Sequence, residues 1–113
     1  MPFINVKTNI PVPAESREVI KTELGKAITV LPGKSESCLM VGIEPEVSLY
    51  FGGDPSPAAM VNVGILGGAS KAAYTKLTGL ISDILDDELG IPKNRIYVKY
   101  SETENWGWNG SDF

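Results

Sequence analysis

Ile4-Asn5-Val6-Lys7 switches between apolar and polar at every step, the two-residue period of a strand buried on one face. A different period follows. Ile20, Leu24, Ala27, Ile28 and Leu31 recur at three- and four-residue steps, which predicts a helix with one apolar face, and Pro13 suits its first turn. After a Gly33-Lys34 break comes a second apolar run, Cys38–Ile43, with a shorter strand expected over Val47–Phe51. The second half repeats this order. Val61-Asn62-Val63 opens it, and Ala73, Leu77, Leu80, Ile81 and Ile84 mark a helical face between an N-cap at Ser70 and a stop at Gly90 and Pro92. Arg95–Tyr100 is its returning strand. Asp86, Asp87 and Glu88 stand at the end of the helix that the dipole disfavours, and with Lys71 and Lys76 they read as solvated charges.

A helix between two strands implies that the strands pair in parallel, and two such units side by side give a four-stranded sheet with both helices on one face. The expected class is α/β, or α+β in stricter schemes: one domain over residues 1–113 with an internal pseudo-repeat of about 2–56 and 57–113. The opposite sheet face would carry Phe3, Asn5, Lys7, Asn62, Tyr97 and Lys99. That mixture is too polar for a core and too aromatic for simple solvent exposure, so copies of the chain are expected to cover it in a closed ring.

Composition narrows the function. With 113 residues, 42% hydrophobic and 21% charged, the chain is long enough for one core, and its net charge of −4 with dispersed Lys and Arg disfavours nucleic acid. No apolar run is long enough for a bilayer, and the N-terminus lacks signal-peptide order, so a cytosolic origin is read, with release by another route left open. Cys38 is the single cysteine and His is absent, which leaves no internal disulfide, thiolate metal site or CxxC pair; Cys38 reads as a small buried hydrophobe.

Chemistry is suggested by Pro2. Small second residues permit removal of Met1, and an exposed proline then carries a secondary amine. A free terminal amine titrates near ~7.7–8.0, so desolvation or a nearby cation brings it to neutral pH, where a general base works best. The alternative is that Pro2 starts an edge strand, where its missing N–H costs nothing.

Pro2 at the head of a strand, TNIP at Thr8–Pro11, PGK at Pro32–Lys34, YFGGDPSPAA at Tyr50–Ala59, NRIYVKY at Asn94–Tyr100 and WGWNGSDF at Trp106–Phe113 together resemble the macrophage migration inhibitory factor and D-dopachrome tautomerase family. The resemblance spans essentially the whole chain. It implies two βαβ repeats forming a four-stranded mixed sheet, assembly as a homotrimer, and keto–enol tautomerisation with the N-terminal proline as catalytic base. The implied substrates are phenylpyruvate-type aromatic α-keto acids and dopachrome-like compounds; no cofactor and no metal are implied.

Carried over by position, the resemblance makes Pro2 the base and Lys34 the cation that meets the substrate carboxylate. Lys34 would also depress the Pro2 amine pKa; as a cation at a helix C-terminus it has an equally sound structural reading. The backbone N–H of an apolar residue after the fourth strand also meets the carboxylate, which an ungapped count gives as Leu66, with Ile65 the alternative. Tyr97, supplied by a neighbouring subunit, would line the pocket. Lys99 stands where the mammalian cytokine has an asparagine that binds the substrate's ring hydroxyl, which implies either tolerance for a more acidic distal group or weaker handling of a phenol. Trp106 and Trp108 would stack on an aromatic substrate, or else pack at a subunit boundary. The mammalian CxxC motif is missing at Pro57-Ala58-Ala59-Met60, so thiol redox chemistry through it is excluded. A cytokine-like protein that binds a cell-surface receptor, with the tautomerase pocket secondary, is the alternative function; decarboxylase or dehalogenase chemistry is the least favoured.

Overall fold

The computed structural model describes residues 1–113. Its elements run β1 (Pro2–Thr8), α1 (Ala14–Ala27), β2 (Met40–Glu44), β3 (Ala59–Leu66), α2 (Lys71–Leu89), β4 (Ile96–Thr103), then a short hairpin of β5 (Gly107–Trp108) and β6 (Ser111–Asp112). The main sheet has the order β2-β1-β3-β4, parallel within each half and antiparallel where β1 meets β3. The mixed sheet expected from the resemblance is therefore present. Ile4 pairs with Val63, Asn5 with Asn62 and Val6 with Val61, so the two similar tripeptides lie face to face about a local twofold through the asparagines.

The helices form because their apolar faces have a sheet to cover. Ile20, Leu24, Ala27, Ile28 and Leu31 are all buried, and they meet Leu77, Ile81 and Leu85 of α2 over Ile4, Val6, Val61, Val63 and Ile65 of the sheet. The β-branched run Ile28-Thr29-Val30 tightens the end of α1 into a 3-10 turn, and Gly33 then reverses the chain at φ +77°. Ser70 caps α2 by accepting the Ala73 N–H at 3.1 Å, and Gly90 closes it at φ 67°. Leu80 and Ile84 are only half-buried, and Leu85 takes the deep position instead. No helix is long and apolar enough to cross a membrane.

Four expectations are corrected. β1 is a central strand rather than an edge, so Pro2 is tolerated because it is the first residue, where a ladder N–H is dispensable. Val47–Phe51 is not a strand: after Val47 N–H bonds to Thr8 O, the carbonyls of Leu49 and Phe51 face side chains of Asn9 and Arg95, and only a Phe51–Asp54 bridge remains. The returning strands begin later, at Met40 and Ile96, because 3-10 turns over Glu36–Cys38 and Lys93–Arg95 precede them. Cys38 is exposed, since its turn leads into the edge strand β2, beyond the cover of the helices.

The second face of the sheet has no layer over it. Phe3, Asn5, Lys7, Met60 and Asn62 are half-buried there, while Tyr97 and Lys99 are exposed.

Candidate active site

Pro2 is buried at the start of β1, opposite Ile65, where the β1–β3 ladder ends. Met1 continues the strand direction for one more residue: its carbonyl accepts the Leu66 N–H at 3.2 Å. From the other side Lys34 arrives out of the turn that follows α1, and its Nζ donates to the Leu66 carbonyl at 2.9 Å. Both main-chain groups of Leu66 are therefore engaged around the head of β1. Ile65, by contrast, is a fully buried core side chain. Of the two candidates for an anion-binding N–H, Leu66 is the one whose amide reaches the first residues of the chain.

Burial lowers the pKa of the Met1 amine below its ordinary value, and the Lys34 ammonium lowers it further. The cause lies in the surroundings. A cation standing next to a titrating amine makes a second positive charge costly, whichever residue carries the amine.

A cleft of about 660 Å³ opens from this point, and Pro2, Cys38, Met40, Trp106 and Trp108 are among the residues that line it. The hairpin brings the tryptophans. Asn109 and Gly110 adopt φ 55° and 72°, the paired left-handed conformation of a two-residue turn, which places Trp108 opposite Ser111. Phe113 then stacks on Trp108 with ring centroids 5.3 Å apart. Neither the hairpin nor Phe113 is anticipated in the sequence reading, although Asn109-Gly110 is the signal that gives such a turn. Cys38, Phe3 and Met40 also line the cleft, a place the sequence reading does not assign them, because strand alternation alone does not tell which end of a strand borders a cleft.

Tyr97 and Lys99 lie elsewhere. Tyr97 pairs with Met60, five residues along β3 from the Ile65 that faces Pro2, a separation of roughly 17 Å along the strand. It is 60% exposed and sits beside Phe51 over a small hollow of about 200 Å³. Lys99 is opposite Asn62 on the same open face. Within one chain, then, Pro2, Lys34, Leu66, Trp106 and Trp108 gather at one end of the sheet, and Tyr97 and Lys99 do not join them.

A family model for Macrophage migration inhibitory factor (MIF) matches residues 1–113. Over 121 aligned residues the chain is 33% identical to the macrophage migration inhibitory factor of Xenopus laevis, covering 100% of this chain and 99% of that relative. It is likewise 33% identical over 118 residues to the Mus musculus factor, again covering 100% of this chain and 99% of the other. Among solved structures, that of Leishmania major MIF2 superimposes with a TM-score of 0.94 at 30% identity, covering 100% of this chain and 97% of that one.

Proposed function

The chain belongs to the macrophage migration inhibitory factor family, and from that premise we propose that it is a keto–enol tautomerase of aromatic α-keto acids with Pro2 as general base. The observation that carries this reading is a cleft lined by a strand-heading proline and two indole rings, with a cation and a backbone N–H gathered at the head of the same strand. Removal of Met1 changes the site in two ways at once. It converts the Pro2 nitrogen from an amide to a secondary amine, and it releases the Leu66 N–H from the Met1 carbonyl. That carbonyl is an oxygen acceptor held where a substrate carboxylate oxygen would bind.

In the proposed reaction the substrate carboxylate is held by the Leu66 N–H and the Lys34 ammonium, and its ring lies between Trp106 and Trp108. Pro2 removes a proton from the carbon next to the ketone. Charge then develops on the ketone oxygen, and fixed donors that need no reorganisation lower the barrier. The same amine, now protonated, returns the proton to oxygen or carbon, so no other reactant is consumed. Lys34 keeps the amine free at neutral pH by opposing its protonation.

The site is proposed to be completed in a homotrimer, with Tyr97 and Lys99 reaching it from a neighbouring subunit. The uncovered sheet face supports this, as do the large apolar side chains exposed at both ends of the sheet, Met40 (69%) and Trp108 (62%) at one and Tyr97 at the other. The test is an intact-mass measurement paired with a phenylpyruvate tautomerisation assay on the same sample. Loss of Met1 with rapid conversion, abolished in Pro2→Gly, is the expected result. Loss of Met1 without conversion would remove the tautomerase assignment.

A further inference from the structure

We infer that Arg95 is a positioning residue that fixes the orientation of the Tyr97 ring; the inference rests on the reading above in which Tyr97 completes a neighbour's pocket. Arg95 ends the 3-10 turn that leads into β4, and its side chain is only 16% exposed. A nearly buried guanidinium requires partners, and this one takes its partners almost entirely from a single loop. Nε donates to Pro57 O at 2.9 Å, and Nη2 donates to Asp54 O at 2.9 Å and Ser56 O at 3.0 Å. Nη1 reaches Phe51 O at 3.5 Å, and the Asp54 carboxylate stands 4.0 Å away. The planar fork thus gathers four carbonyls of one loop, two of which, Phe51 and Asp54, also close the bridge between those residues.

The consequence falls on one aromatic pair. The Arg95 guanidinium carbon lies 5.3 Å from the centroid of the Phe51 ring, and Phe51 in turn meets Tyr97 with centroids 4.8 Å apart and planes tilted by 48°. Phe51 itself belongs to the loop that Arg95 holds, at the head of a turn through Gly52 and Gly53, both at positive φ. Asn9 ties the same loop from the other side, donating to Leu49, Pro55 and Ser56 carbonyls. Asn9 is bonded to the loop through its carbonyls, whereas Arg95 both bonds loop carbonyls and stands over the Phe51 ring. Tyr97 has no hydrogen bond through its own hydroxyl, and Phe51 is the aromatic ring packed against it. A lysine at position 95 would keep the charge but lose the fork that reaches several carbonyls together.

The experiment compares Arg95→Lys, Phe51→Leu, Tyr97→Ala and the Arg95→Lys/Tyr97→Ala double variant in the full processed protein. Arg95→Lys and Phe51→Leu are each expected to raise KM for phenylpyruvate about three- to tenfold. The kcat and its pH profile should stay as in the parent, because Pro2 is untouched. In the Tyr97→Ala background the lysine should add nothing further to KM. An Arg95→Lys protein with unchanged KM, or a double variant whose effects multiply, would overturn the inference and leave Arg95 as a loop staple only. If the parent protein has no turnover, the tautomerase reading fails separately, and the ring is read directly by fluorine resonance of 3-fluorotyrosine-labelled protein. The Tyr97 signal, assigned by its loss in Tyr97→Phe, is expected to shift or broaden in Arg95→Lys. An unmoved signal would sink the inference. Should Arg95→Lys not fold, Phe51→Leu carries the same two readouts with the same expected and contrary outcomes.

Discussion

Met1 covers both groups that the proposed chemistry needs at the head of β1, the Pro2 nitrogen and the Leu66 N–H. A chain made to retain Met1, by inhibiting methionine aminopeptidase during expression, should therefore turn over at least about a hundredfold more slowly, the lower bound for loss of a general base. Equal rates for retained and processed protein, with masses verified, would disprove a role for the Pro2 amine. Lys34 supplies a second test. In the proposed mechanism the free amine is the active form, so kcat/KM should fall as pH drops through its pKa, which a nearby cation lowers. Lys34→Ala should move the acid limb to higher pH, as well as weakening substrate binding, and a limb that stays in place would separate Lys34 from the amine. At this scale the sequence identified residue types and could not fix their surroundings. The apolar neighbours of Cys38 suggest burial, yet it is exposed at the cleft, because its turn leads into an edge strand and burial there depends on what covers the strand and not on its composition.

Elements were legible where a long periodic signal met a definite stop. The apolar positions from Ile20 in α1 to Leu31 just past its 3-10 end are all buried, and α2 lies between the Ser70 cap and Gly90. Leu24→Ala should cost about 2–5 kcal/mol in a denaturant titration, since it opens a cavity where both helices meet the sheet. Ser70→Ala should cost only about 1 kcal/mol, the value of one N-cap on an exposed helix start. Comparable losses for the two would contradict the packing described here. Elements were illegible where side chains replaced the ladder. Val47–Phe51 has strand-like residues, but Asn9 and Arg95 take its carbonyls, and a pairing partner is what makes a strand. The β5–β6 hairpin had its signal in Asn109-Gly110, yet two-residue strands fall below the length at which alternation can be read. Gly110 sits at φ 72°, so Gly110→Ala should strain the turn by about 1 kcal/mol. KM should rise as Trp108 and Phe113 loosen, while the melting temperature, set by the core under the helices, barely moves. A fall in melting temperature with KM unchanged would instead make the hairpin a structural clasp.

For the whole molecule, the open sheet face and the roughly 17 Å between the Pro2 and Tyr97 registers along the strands make one claim that no single-chain property can imitate. If each site draws Pro2 from one subunit and Tyr97 from the next, two crippled proteins should repair one another. Pro2→Gly chains keep a good Tyr97, and Tyr97→Ala chains keep a good Pro2. Mixed after denaturation and refolding in equal amounts, about three quarters of trimers would contain both kinds of chain, and every such ring has a single junction where an intact Pro2 meets an intact Tyr97. About a quarter of all sites would then be whole. At phenylpyruvate concentrations well below KM, the mixture should regain about that fraction of parental turnover, whereas the two variants merely combined without refolding should not. Light scattering on the same samples checks that the particles contain three chains. Absence of recovery in a refolded mixture of trimers would mean that Tyr97 serves no neighbour's site, and the open face would then owe its aromatic residues to subunit packing alone.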